Sequence, residues 1–222
     1  MTEQPARSTL GGQQPNRSPH PELRNAWVTA CVVGELIGFV PPALAGTLLS
    51  WLDASELLLV AGLVLAGCAE GAVLGAFQAR VLRAPFPAVS GWTRATALAA
   101  GIAWLAGMGG SSMVQAVGPA SLILAVPGWV IGLLAMGVLQ SRRLARAANV
   151  RALWVTRTTG AWLVGVMIPV AALSVVPNGA HPAIHFAVAV AAAVAMGATV
   201  GLITGSTLVQ LAGRPTGTPS GP

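Results

Sequence analysis

Gln140-Ser-Arg142-Arg143-Leu-Ala-Arg146-Ala-Ala-Asn-Val-Arg151-Ala-Leu-Trp154 is the stretch on which the fold turns. It separates two apolar runs, 119–140 and 154–176, of which the first carries no charge and the second only Arg157. A glutamine closes the earlier run, a tryptophan opens the later one, and four arginines lie between them. Working towards the N-terminus, the same order recurs from Gln78 through Arg80 and Arg83 to Trp92, again over fourteen residues, with Arg94 just beyond. At the outer margins, Trp27 opens the first apolar run, and Gln210 closes the last, four residues before Arg214.

These markers divide residues 26–212 into six apolar segments, approximately 26–50, 57–79, 92–111, 119–140, 154–176 and 183–211. A helix needs about 20 predominantly apolar residues to cross the hydrocarbon of a bilayer, and each segment falls within or beyond that range. The openers Trp27, Trp92 and Trp154 begin odd-numbered segments, and the closers Gln78, Gln140 and Gln210 end even-numbered ones. The repeating unit is therefore a two-helix hairpin, occurring three times at approximately 27–83, 92–146 and 154–212. The expected fold is an all-α membrane bundle of six helices. The simplest account of each tryptophan is an interfacial belt, where an apolar ring meets water through its N–H.

Composition agrees with lipid as the solvent. Apolar residues make up 55% and charged residues 8% of the chain, and mean hydropathy is +0.74. Soluble domains carry about 25% charged residues. The net charge of +6 comes from arginine alone, since lysine is absent. Nucleic acid is not an expected partner, because these arginines occupy short loops between apolar segments rather than one continuous face. All twelve fall in the N-terminal tail, the second loop, the fourth loop, the C-terminal tail or the helix ends beside them, while the first, third and fifth loops have none. Positive charge remains on the cytoplasmic side, so the expectation is a multi-pass protein of a bacterial inner membrane with both termini inside.

Residues 1–25 and 213–222, rich in Pro, Gln, Ser, Thr and Gly, are expected to be disordered cytoplasmic tails. The first apolar run is too long for a cleaved signal, so it reads as a retained anchor. Cys31 and Cys68 differ in depth by roughly 9 Å at about 1.5 Å per residue, too far for a disulfide without tilt.

Small residues mark helix faces. Gly67, Gly71 and Gly75 recur every four residues, as do Gly197, Gly201 and Gly205, and Gly34 pairs with Gly38 and Gly128 with Gly132. Such spacing lets backbones approach closely, within the bundle or between copies, so a second copy or another membrane subunit joins the bilayer as an expected partner. Pro41-Pro42, Gly109-Gly110 and Pro169 occupy comparable depths in the three odd-numbered helices, where interruptions are expected.

The segment Gly71-Ala-Val-Leu-Gly75-Ala-Phe-Gln78-Ala-Arg80-Val-Leu82-Arg83 resembles the GxxxGxxQxxxLR segment that recurs in a set of bacterial multi-pass membrane proteins without an assigned activity. The likeness implies an integral membrane protein and brings no reaction with it. The other closers depart from it: Gln140 has Leu144 but Ala145 in place of the second arginine, and Gln210 has Arg214 but no leucine.

Two ionisable residues lie well inside the segments. Glu35 follows Trp27 by eight residues and Glu70 precedes Gln78 by eight, so antiparallel helices would hold both at one level, roughly 12 Å from the arginine end at about 1.5 Å per residue. The matching positions elsewhere are Ala100, Gly132, Trp162 and Leu202. Intramembrane acids are costly and face an interior or a cavity, which makes the pair a candidate ion or substrate site, or else a protonated hydrogen-bonded link between two helices. His181 and His185 share a helical face but lack the partners for a metal site, no GxSxG surrounds a serine, and no cofactor motif is present. Arg142, Arg143, Arg146 and Arg151 could hold anionic lipid headgroups, though orientation alone explains them. The leading expectation is a non-enzymatic scaffold or accessory subunit packed through glycines. The alternative is a small proton- or cation-linked transporter using Glu35 and Glu70, and an intramembrane enzyme ranks last.

Overall fold

The structure, a computed structural model, describes residues 20–118, 122–144, 148–177 and 179–213. The described residues are helical and contain no strand. Among the described residues seven helices follow in order: α1 (His20–Gly38), α2 (Val40–Trp51), α3 (Glu56–Leu82), α4 (Trp92–Val117), α5 (Leu122–Leu144), α6 (Ala148–Ser174) and α7 (Pro182–Ala212). Among the described residues, four helical segments are long and apolar enough to cross a membrane: Pro21–Trp51, Glu56–Leu82, Asn149–Ser174 and Pro182–Ala212.

The ends of these helices have local causes. α1 begins at His20, so residues 20–25 are helical rather than tail, and Leu23 packs beneath the core. The first apolar run is divided at Phe39 because Pro41 and Pro42 offer no amide hydrogens to the preceding turn, and they instead fill the first turn of α2. Ser55 caps α3 by accepting the Leu58 amide, and His181 caps α7 through Nδ1, which accepts the Ala183 amide at 3.2 Å. Gly91 precedes α4 with φ +70, a conformation that favours glycine.

The helices close into a ring. α3 packs on α1 and α4, α5 on α4 and α6, and α7 on α6 and back on α1, while α2 extends α1 and leans on α3. Described helices that are not neighbours in the ring keep their backbones apart and meet only through side chains. Large side chains such as Leu65, Leu98 and Phe186 project outwards, as lipid would allow.

Close approach at the seams depends on small residues. A Cβ on Gly71 would lie 2.7 Å from the Thr96 carbonyl, and one on Gly201 would lie 2.9 Å from Cα of Val28. Gly34 and Gly38 meet α3 in the same way, Gly67 and Gly75 meet α4, and Gly197 and Gly205 meet α1. All eight glycines thus serve seams within one chain. Gly132 abuts Ala103 and Ala106, whereas Gly128 has no neighbour close enough to need a missing side chain.

One end of the ring carries the described arginines and is solidly filled. Trp27, Trp92 and Trp154 meet there as a trio, with ring centroids 5.7–6.1 Å apart and planes at 70–78°. Edge-to-face geometry places the positive ring edge on the negative face of its neighbour. None of the three is more than 2% exposed, so they form a buried plug rather than the interfacial belt that their positions suggest. The ring geometry explains the difference, since each of these helices turns its tryptophan towards the axis. Leu82, Leu144 and Leu208 join the same cluster.

A belt of polar groups underlies the tryptophans. Gln78 accepts the Trp92 indole N–H at 3.0 Å and donates to Cys31 Sγ at 3.4 Å. Gln140 donates to Thr96 Oγ1 at 3.1 Å and to Gln78 Oε1 at 3.5 Å. The third position of the belt is held by a residue not expected there: Trp27 donates to Thr204 Oγ1 at 2.8 Å. Gln210 is exposed and plays no part in the plug. Thr204 follows Gly201 by three residues and precedes Leu208 by four, the positions that Gln78 holds between Gly75 and Leu82. The level eight residues before the closer shifts accordingly, from Leu202, which faces outwards, to the buried Met196.

Candidate functional site

Above the polar belt the ring is not filled. A chamber of about 650 Å³ opens there, bordered by all six members of the ring. Its floor lies where the spacing rule places it. Glu35, Ala100 and Trp162, each eight residues after a plug tryptophan, line it, as do Glu70, Gly132 and Met196. One turn further on, Phe39 at the break between α1 and α2 and Trp104 on α4 enter the wall, with Val166 opposite on α6. Trp129, Met108, Met167 and Pro169 continue it away from the arginine end. The wall is therefore almost wholly apolar and aromatic, with its acids at the closed end.

The two glutamates converge. Gly38 on α1 sits directly against the Glu70 backbone, where a Cβ would lie 3.0 Å from its carbonyl oxygen, and this seam brings the two side chains to one depth. The Glu35 and Glu70 carboxyls lie close enough to interact with each other. Oε2 of Glu70 accepts the Trp104 indole N–H at 2.6 Å. Trp104 is held in place because it lies across Gly67, where any side chain would collide with its ring. Glu35 is 1% exposed, and neither of its oxygens receives a hydrogen from a described donor. A carboxylate only accepts, so two of them can bond to each other only through a proton held between them. The alternative partner is a donor that enters from the chamber.

The remaining sequence-derived sites are dispersed. Cys31 and Cys68 are both free thiols, Cys31 being fully enclosed by the polar belt and Cys68 lying beside Gly101. Arg142 and Arg143 are exposed and flank a second hollow, of about 440 Å³, against the Pro85–Ser90 turn. Arg151 is exposed near the start of α6, and Arg146 lies outside the described residues, as do Arg7, Arg17 and Arg214. Among the described residues no group of three potential ligands could hold a metal ion.

No protein-family model matches the chain, no curated protein matches it, and no solved structure matches it.

The aromatic and thioether side chains of the chamber, notably Trp104, Trp129, Met136 and Met196, are not among the residues that sequence spacing singles out. One signal was available: Trp104 and Phe39 each lie twelve residues past a plug tryptophan, one turn beyond the acid level and on the same helical face.

Proposed function

We propose that the protein is a small transporter of a bacterial inner membrane, in which the Glu35–Glu70 pair exchanges protons for a cationic substrate admitted to the central chamber. The observation that carries this reading is the enclosed Glu35 carboxyl, which lacks a donor and borders a chamber large enough for a small molecule. Exchange keeps the net charge of the occupied site constant: the proton held between the carboxyls departs as a singly charged cation arrives.

The scaffold reading rests on glycine faces, and here those faces are occupied within the chain. A packed assembly also needs no chamber. Three features support the six-span, three-hairpin arrangement. α4 and α5 complete the ring between helices that are themselves long and apolar enough to cross. The Trp27, Trp92 and Trp154 trio has near threefold geometry. The segments ending in Gln78-x-x-x-Leu82, Gln140-x-x-x-Leu144 and Thr204-x-x-x-Leu208 each place a buried polar residue and a buried leucine at the same spacing. Internal repeats with a site at their common interface are a recurrent transporter design, and the break at Phe39 borders the chamber, whereas α4 and α6 run unbroken past Gly109-Gly110 and Pro169, the expected points of interruption. The arginine-bearing end faces the cytoplasm in this reading, with both termini inside.

The test is reconstitution into liposomes containing a trapped pH indicator, followed by addition of sodium, potassium or alkylammonium ions. A cation-driven change in internal pH is expected for the native protein, and its loss in Glu35→Gln, Glu70→Gln and the double variant. Failure of every cation to drive proton movement, or equal movement in the variants, would remove the transport reading.

A further inference from the structure

We propose that the chamber is a binding site for a protonated primary or secondary amine with an apolar, aromatic-sized body, and that its ammonium group docks on Glu35. The inference rests on the site assigned above and names its ligand class.

Three features narrow the chemistry. The first is the pair of Glu35 oxygens, enclosed and without a donor at the floor of the chamber. A ligand that brings N–H groups satisfies them, whereas an anion or a neutral acceptor does not. The second is the scarcity of other oxygen atoms. Beyond Glu35 and Glu70 the lining side chains are apolar, aromatic or thioether. A hard metal cation such as Ca²⁺ takes six to eight oxygen ligands, and Mg²⁺ keeps an octahedral shell, so neither is served by two carboxyls in an apolar wall. The third is the wall itself. Trp104, Trp129 and Trp162 present large π surfaces on three consecutive ring helices, α4, α5 and α6. Indole faces attract cations and stack on flat apolar groups. Met136 and Met196 add soft thioether surface that adapts to irregular shapes.

The geometry also orders the parts. Because the Trp104 N–H is already committed to Glu70, that indole offers its face and edge to the chamber but no donor. The acids occupy the closed end and the aromatic groups extend away from it, so the ammonium leads and the apolar body follows.

Isothermal titration calorimetry on the purified full chain in detergent micelles tests the assignment, with 2-(1-naphthyl)ethylammonium as probe. Two isosteres serve as comparisons, the neutral naphthylethanol and the N-trimethylated ammonium. The expected result is saturable binding of the ammonium probe, at least tenfold weaker binding of both isosteres, and at least a tenfold loss in Glu35→Gln. Val170 lines the chamber from α6, so Val170→Trp should fill part of it and weaken the probe tenfold while leaving the thermal unfolding midpoint unchanged. Equal binding of the neutral or trimethylated isostere, full affinity in either variant while it remains folded, or no binding of the ammonium probe would each overturn the assignment. The liposome assay separates the two readings: amine binding without proton movement retains the site and removes transport, and proton movement driven only by inorganic cations does the reverse.

Discussion

The indole N–H of Trp27 and the hydroxyl of Thr204 meet at 2.8 Å across 177 residues of chain, closing the ring between its first and last helices. Both groups are buried. Thr204→Val retains the shape of the side chain and removes the only described acceptor for that N–H. A buried donor left unpaired costs about 1–3 kcal/mol, so thermal unfolding in detergent should show a loss of that size. Gln210→Ala should change stability by less than about 0.5 kcal/mol, because its side chain is exposed. A larger effect at Gln210 than at Thr204 would contradict the assigned third position of the polar belt.

The plug tryptophans are unequal partners. Trp92 donates to Gln78, while the Trp154 Nε1 is buried with no described partner. Substitution by phenylalanine keeps an aromatic ring at either site. Trp92→Phe deprives Gln78 of its closest described donor and should cost about 1–2 kcal/mol more than Trp154→Phe, which removes an N–H that bonds to nothing described. Guanidinium titration of the two variants would show it, and equal midpoints would refute the asymmetry.

Glycines differ by what stands opposite. Gly71→Ala places a methyl group 2.7 Å from the Thr96 carbonyl and 3.0 Å from Cα of Ala97, so α3 must move off α4. Overpacking of this kind costs about 1–3 kcal/mol. Gly160→Ala meets nothing within 4 Å and should be neutral or stabilising, since alanine favours helix. Melting temperatures measured side by side decide between specific packing and a general intolerance of added methyl groups.

Orientation is open to chemical labelling. In a Cys68→Ala background, Cys31 is fully enclosed and should not react. A cysteine at the exposed Ser90, between α3 and α4, should be reached by an impermeant maleimide only after the cells are lysed, and one at the exposed Ser50, near the end of α2, without lysis. The reverse pattern would invert the proposed orientation.

What the sequence disclosed follows periodicity and counting. Eight residues from Trp27 and eight from Gln78 bring Glu35 and Glu70 to one depth, and the structure places them together. Glycines four residues apart mark seams, and helical geometry makes that spacing a shared face. What the sequence concealed depends on the third dimension. A tryptophan near a helix end looks the same whether it meets headgroups or two other tryptophans, and only the closed ring decides for the second. Gln210 resembled Gln78 in residue type, while Thr204 matched it in position. The better guide was the run Gly197-x-x-x-Gly201-x-x-Thr204-x-x-x-Leu208, in which a hydroxyl replaces an amide because the task is merely to accept one hydrogen. The chamber escaped notice because space between helices has no sequence signature of its own.

Ring closure between α1 and α7 has a consequence for synthesis. The acids reside on α1 and α3, so their meeting can be settled while the ribosome is still translating the remainder. The Trp27 N–H, by contrast, waits for the final helix before it has an acceptor. Until then the nascent bundle has an open flank, with the α1 groove that receives Gly197 and Gly201 still unfilled. A chain truncated ahead of α7 would carry its acid pair intact yet present that flank to whatever insertion factor or protease patrols the bilayer.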